Sequence, residues 1–267
     1  MLKLRHLFEN YELAKTALQS WEHETESLDE MLSNYRISSN AIYPFKQKGE
    51  VCFLRFAPVD EKREKNVLGE LEFIDYLIAN DYPALIPIPT LNHEICLQFD
   101  SPWGDYFASA FRRVPGVQIE DIELTNDVLM AYGKALGRLH LLSSRFTPIN
   151  KKWSHVEVLS WIELTLIANK APNSIFDELI EMKKLLSQIP KSPENYGLIH
   201  YDFEPDNVFY DETTRTCSVI DFDDGMYHWY ALDLEQVFDS LGEMLEEEKL
   251  TLAKDTFIQA YQTEFPF

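Results

Sequence analysis

Between Leu198 and Asp224 the chain reads LIHYDFEPDNVFYDETTRTCSVIDFDD, and its polar residues are of the types that do chemistry. His200, Asp202, Glu204, Asp206 and Asn207 share one short segment, and Asp221, Asp223 and Asp224 close the stretch after a further apolar run. Short β-branched and aromatic runs alternate here with polar, turn-forming ones, which predicts strand, loop, strand, turn, strand. The polar groups therefore sit at loops and strand ends, where rigid strands can aim them at one point. An aspartate, a following asparagine and a further aspartate at a strand end supply oxygen ligands only. That set suits Mg2+, which takes one or two carboxylates and keeps phosphate and water in its other positions. Without a cysteine pair or paired histidines, zinc does not fit. A carboxylate left off the metal can accept the proton of a hydroxyl. The inventory matches phosphoryl transfer.

The spacing H-x-D-x-x-x-x-N followed by I-D-F-D resembles the aminoglycoside phosphotransferase and choline kinase family, a small-molecule branch of the protein-kinase-like fold. The resemblance implies that Asp202 is the catalytic aspartate, that Asn207 and Asp221 hold the metal, and that His200 supports the loop backbone. Tyr201 stands where the family usually has glycine. Asp-Phe-Asp-Asp replaces the Asp-Phe-Gly of protein kinases, and no Ala-Pro-Glu motif follows, which favours the small-molecule branch.

The elements that must position these groups are legible along the chain. With 267 residues, 45% hydrophobic and 13% aromatic, one or two domains with a large core are expected. The formal net charge of −21 argues against a basic nucleic-acid surface or attachment to an anionic membrane, and would draw a cationic small molecule. Three scattered cysteines, the lack of a signal-peptide pattern and the lack of a long apolar run predict a cytoplasmic protein without disulfides.

Apolar residues at Leu7, Phe8, Tyr11, Ala14, Leu18 and Trp21 predict a first helix. Arg36–Lys46 reads as strand, loop, strand, with Ser38, Ser39 and Asn40 at the tip. The family places a glycine-containing loop over nucleotide phosphates there, so the resemblance implies phosphate contact by Ser39 and Asn40; an ordinary hairpin turn is the other reading. Val51–Ala57 reads as a strand in which Arg55, a charge within an apolar run, calls for a partner. By the resemblance Arg55 contacts nucleotide phosphates and Glu70, on the helix predicted over Glu61–Asn80, pairs with it, while Glu72 faces elsewhere. Ile95–Phe99 and Tyr106–Val114 predict two antiparallel strands around a turn. Pro115-Gly116 marks a break, near which the family's inter-lobe linker would read adenine.

Thr125–Ser144 is the strongest predicted helix, with a family-like Gly133-to-His140 pattern in which His140 reads as a packed core residue. Helices at Trp153–Ala168 and Asn173–Ile189 occupy the stretch where the family inserts acceptor-binding helices. Tyr227, Trp229 and Tyr230 read as packing, with cation–π contact to an acceptor as the alternative for the first two. Two helical stretches, Ala231–Leu241 and Glu243–Thr263, end the chain, a shorter helical tail than the family's.

The expectation is an α+β, two-lobed kinase-like fold. Residues 1–114 would form a nucleotide-binding lobe with a small antiparallel sheet, and residues 115–267 a mainly helical catalytic and acceptor-binding lobe. The implied activity is Mg2+-dependent transfer of the γ-phosphate of ATP or GTP to a hydroxyl of a small, cationic acceptor. The partners would be that acceptor, neither nucleic acid nor membrane, with a homodimer as a compatible assembly. The rivals are a nucleotide-binding module without catalysis and a protein kinase.

Overall fold

A computed structural model of the protein describes residues 11–102 and 104–266. Leu7 and Phe8 of the first predicted helix and Trp103 of a predicted turn lie outside the described residues. The chain divides into two compact units, Met1–Pro115 with Pro148–Asn150 and Ser218–Ile220, and Gly116–Thr147 with Lys151–Cys217 and Asp221–Phe267.

The first unit contains α1 (Glu12–Leu18), α2 (Leu28–Ser33), β1 (Arg36–Ile37), β2 (Ala41–Gln47), β3 (Glu50–Pro58), α3 (Glu64–Ala79), β4 (Pro87–Ile88), β5 (Leu97–Phe99) and β6 (Tyr106–Arg112). Its sheet runs β1-β2-β3-β6-β4, with β5 also on β6, and each of these pairings is antiparallel. β2 alternates buried and half-buried residues, as a strand covered on one face must. β3 is buried continuously from Leu54 to Pro58 because both of its faces are covered. Cys52, Leu54 and Phe56 join Ala14, Ala17, Leu18 and Leu32 of α1 and α2 in one core. Arg55, on the opposite face, meets α3, whose Leu71, Ile74 and Leu77 are buried. Burying side chains such as Phe45 and Phe56 contributes roughly 1.5–3 kcal/mol each.

The second unit contains β7 (Val117–Gln118), α4 (Asn126–Ser143), α5 (His155–Ala168), α6 (Asn173–Gln188), β8 (Tyr196–Leu198), β9 (Val208–Asp211), β10 (Thr216–Val219, whose last two residues belong to the first unit), β11 (Tyr227–Trp229), α7 (Ala231–Met244) and α8 (Glu247–Glu264). Two small sheets form, β10-β9-β7 and β11-β8. The predicted cap Thr125 accepts from the Val128 amide and starts α4. Gly133 and Gly137 of α4 lie against the backbone of α8, where a Cβ would collide with the carbonyl oxygens of Phe257 and Tyr261. Gly116 has φ +94, and a Cβ there would stand 2.5 Å from the Tyr210 carbonyl oxygen, so the chain break before β7 requires glycine.

α5 and α6 bury only His155, Leu159 and Leu179, and leave Trp161, Leu164, Ile180 and Leu185 more than half exposed. Among the described residues no helix is long and apolar enough to cross a membrane.

Candidate active site

β8 delivers the chain into the segment His200–Asn207. His200 is fully buried, its ring against Phe203 and Phe222, and its Nδ1 accepts the Asp202 amide at 3.2 Å. This is the backbone-supporting position expected of it. Tyr201 adopts φ +68, the left-handed region in which glycine costs nothing and another residue costs about 1–2 kcal/mol. That conformation explains why a glycine is usual here. Tyr201 is held in it by α7: its amide donates to Asp233 Oδ1 at 2.8 Å, and its carbonyl accepts from Gln236 Nε2 at 2.8 Å.

Asp233 is the anchor of this loop. It is fully buried, and its Oδ2 accepts from the His200 amide at 2.9 Å and from His140 Nε2 at 3.0 Å. Burial alone would push its carboxyl up, but the hydrogen bond and charge of His140, with His200, hold it below the usual carboxylate range. His140 is wholly buried in the core, and its Nδ1 is hydrogen-bonded to the Tyr261 hydroxyl of α8 at 2.8 Å. A second brace comes from α4, where Tyr132 stacks on Phe203 and donates to its carbonyl oxygen at 2.5 Å.

Asp202 and Asn207 are brought together by this loop. The Asn207 amide nitrogen donates to Asp202 Oδ2 at 2.8 Å and to the Asp202 carbonyl at 3.1 Å. Both amide hydrogens are thereby spent within the loop, and the Asn207 side-chain oxygen remains as a neutral donor for a hard cation. Asp202 is half-buried. Burial, with Glu204, Asp206 and Asp224 nearby, pushes its carboxyl up to about 6 against the pull of the Asn207 amide. Glu204 is pushed up as well, by burial and then by Asp206 and Glu243.

Asp221 follows β10 with φ 65 and ψ 54, a second left-handed non-glycine residue, and a single 3-10 turn over Phe222–Asp224 comes next. Asn207 and Asp221 together offer an amide oxygen and a carboxylate. Among the described residues no group of three or more His, Cys, Asp or Glu side chains is arranged around a cation. A donor set this small fits Mg2+, whose remaining positions go to phosphate and water, and does not fit a closed zinc site.

In the first unit Arg55 and Glu70 form a two-pronged ion pair, Nη1 to Oε1 and Nη2 to Oε2, each at 2.7 Å. They are 6% and 1% exposed, and the guanidinium also lies 4.9 Å from the Phe111 ring centre. Glu72 faces elsewhere and accepts from the Ile149 and Asn150 amides. Ser39 is exposed at the tip between β1 and β2, where the Ser38 amide donates to the Asn40 carbonyl, and the Asn40 side chain is buried.

A model of the phosphotransferase enzyme family matches residues 38–266. The chain belongs to that family. Amicoumacin kinase of Bacillus subtilis (strain 168) is 22% identical over 228 residues, which are 79% of this chain and 66% of that protein. The chain thus spans just under two thirds of that relative's length. A structure of amicoumacin kinase hAmiN in complex with AMP-PNP, Ca2+ and Ami superposes with a TM-score of 0.85 at 19% identity, covering 100% of this chain and 81% of that one. A microcompartment-associated aminopropanol kinase gives a TM-score of 0.69 at 20% identity, over 96% of this chain and 81% of that one. The α+β kinase-like fold is therefore established for this family member.

The candidate site also contains residues that the sequence pattern did not single out. Asp233 and Gln236 act on the backbone of the loop, and their only sequence signal is polarity within the apolar run YALDLEQVF. Lys152 is 4% exposed, and its Nζ donates to the carbonyl oxygens of Phe222 at 2.8 Å and Asp223 at 2.7 Å. The aromatic residues after the site are engaged internally. Trp229 is buried and donates to the Pro190 carbonyl, Lys191 lies over Trp229 and Tyr196, and Lys151 lies over Tyr227. These contacts support packing over acceptor binding for Tyr227 and Trp229.

Proposed function

We propose that the protein is a small-molecule kinase that transfers the γ-phosphate of ATP or GTP to a hydroxyl of a cationic acceptor. The pairing of Asp202 with Asn207 carries this reading. It leaves a half-buried carboxylate beside an amide oxygen, one for the acceptor and one for a metal. Asp202 orients the acceptor hydroxyl and takes its proton. Asn207 and Asp221 hold Mg2+, which when bound neutralises charge on the phosphates. Arg55, placed by Glu70, holds nucleotide phosphates, with the Ser39–Asn40 tip beside them. In this reading residues 1–114 bind the nucleotide, while 115–267 supply the catalytic groups and, through α5 and α6, the acceptor surface.

The acceptor class follows from charge. Glu204, Asp206, Asp223 and Asp224 exceed what one metal and one base require, so an amine near the reactive hydroxyl is favoured. Similarity to a kinase of aminopropanol, an amine that carries a hydroxyl, supports the same class. The test is ADP formation with ATP or GTP across amino alcohols, choline, homoserine, aminoglycosides and neutral sugars. Acceptor-dependent ADP with the amines is expected. Nucleotide binding without ADP from any of them would favour a module without catalysis.

A further inference from the structure

We propose that Lys152 is a positioning residue for the metal-binding aspartate, Asp221; this rests on the kinase reading above. Lys152 lies just before α5, outside the sequence motif. The segment that carries it is fixed by its backbone: the Trp153 carbonyl accepts from the Tyr227 amide at 2.8 Å, and Ser154 bridges in parallel to Tyr227. From that strap its ammonium reaches the turn that follows Asp221, and two of its three N–H donors end on the carbonyls of Phe222 and Asp223.

The turn needs such a hold. Asp221 sits in the left-handed region, which a residue with a side chain keeps only when its surroundings over-determine it. Three contacts contribute to that hold. The Phe222 ring is buried at 4.7 Å from the His200 ring. Gly225 presses on the Ile199 carbonyl so closely that a Cβ would stand 2.8 Å from its oxygen. Lys152 supplies the third, and it is a polar one. Without it, two carbonyls just past Asp221 would lose a charged donor, and a buried ammonium is kept in a fold only when such partners satisfy it. Groups that orient a metal ligand without touching the metal typically change its affinity 10- to 100-fold.

The experiment measures AMP-PNP binding by calorimetry over a series of Mg2+ concentrations, in wild type, Lys152→Met and Lys152→Arg. It requires neither an acceptor nor turnover. The half-saturating Mg2+ concentration should rise about 10- to 100-fold in Lys152→Met, with metal-free AMP-PNP affinity unchanged. Lys152→Arg, which keeps charged donors, should recover most of the loss. If a melting curve shows that Lys152→Met does not fold, Lys152→Gln, with one terminal amide donor, takes its place and should lie between wild type and the full loss. A folded Met or Gln variant with the wild-type Mg2+ dependence overturns the inference and leaves the kinase reading intact. Wild type whose AMP-PNP binding ignores Mg2+ overturns both.

Discussion

Arg55 with Glu70 and Asp202 with its neighbours are two charged constellations among the described residues, and they are built on opposite plans. Arg55 and Glu70 compensate each other through two parallel hydrogen bonds in a nearly dry setting. Asp202 lies instead among Glu204, Asp206 and Asp224, with only the Asn207 amide in its favour, and its carboxyl is pushed up accordingly. The first constellation is complete as folded. The second carries excess negative charge that a cation would relieve. In the proposed reading the stable pair presents a fixed guanidinium to phosphate, whereas the acidic cluster takes a metal and an amine.

The largest expected effect breaks the acidic side. Asp202→Asn should lower kcat on the order of 10²–10⁴-fold while nucleotide affinity stays within a few-fold, as steady-state kinetics and calorimetry would measure. The same variant should be more stable than wild type at neutral pH. A carboxyl that folding raises from 3.8 to about 6 binds more protons in the native state, so wild-type stability declines as pH rises through that window. The stability difference should therefore vanish at low pH in urea titrations.

Breaking the compensated pair should act on the fold. Glu70→Ala takes the carboxylate partner from a buried guanidinium and should cost about 3–5 kcal/mol in chemical denaturation. A loss below about 1 kcal/mol, the range of exposed pairs, would mean that Arg55 finds water and that the contrast is overstated.

How much of this was readable beforehand depended on whether a residue's partner was a side chain or the backbone. Arg55 announced itself as a charge in an apolar strand that called for a partner, and the family resemblance pointed to Glu70 as that partner, with Glu72 facing elsewhere. Asp202 and Asn207 carried a recognisable spacing because one binds the other directly. Gln236 and Lys152 serve main-chain carbonyls, which leave no complementary residue type to detect, and Asp233 joins its side-chain partner His140 across a wide gap in sequence while it also holds two main-chain amides. The strongly patterned α3 and α4 were legible, as were the long strands β2, β3 and β6. The two-residue β7 and the three-residue β11 were not, since their pairing is set by the loops they brace. The helices α5 and α6 were expected from their apolar spacing, but that spacing did not reveal how little of their apolar surface is buried.

A smaller effect sharpens the acidic side through pH. kcat/KM reports the free enzyme, and Asp202 must be ionised to accept a proton. The rate should be level above about pH 6 and fall about tenfold per unit below it. The smallest expected effect is electrostatic steering. Raising salt to 0.1 M, where charges are screened over ~10 Å, should lower kcat/KM for the amine acceptor a few-fold, and Asp224→Asn should weaken that salt dependence. A neutral acceptor, or a rate indifferent to both changes, would remove the cationic-acceptor claim.

The central claim, that Arg55 serves phosphate while the aspartates serve the cation, is tested most directly by AMP-PNP calorimetry with and without Mg2+ on Arg55→Ala and Asp221→Ala. Arg55→Ala should weaken binding even without metal. Asp221→Ala should keep the metal-free affinity and lose the increment that Mg2+ adds. An Asp221→Ala protein with the full Mg2+ increment, or an Arg55→Ala protein with wild-type metal-free affinity, would contradict the account.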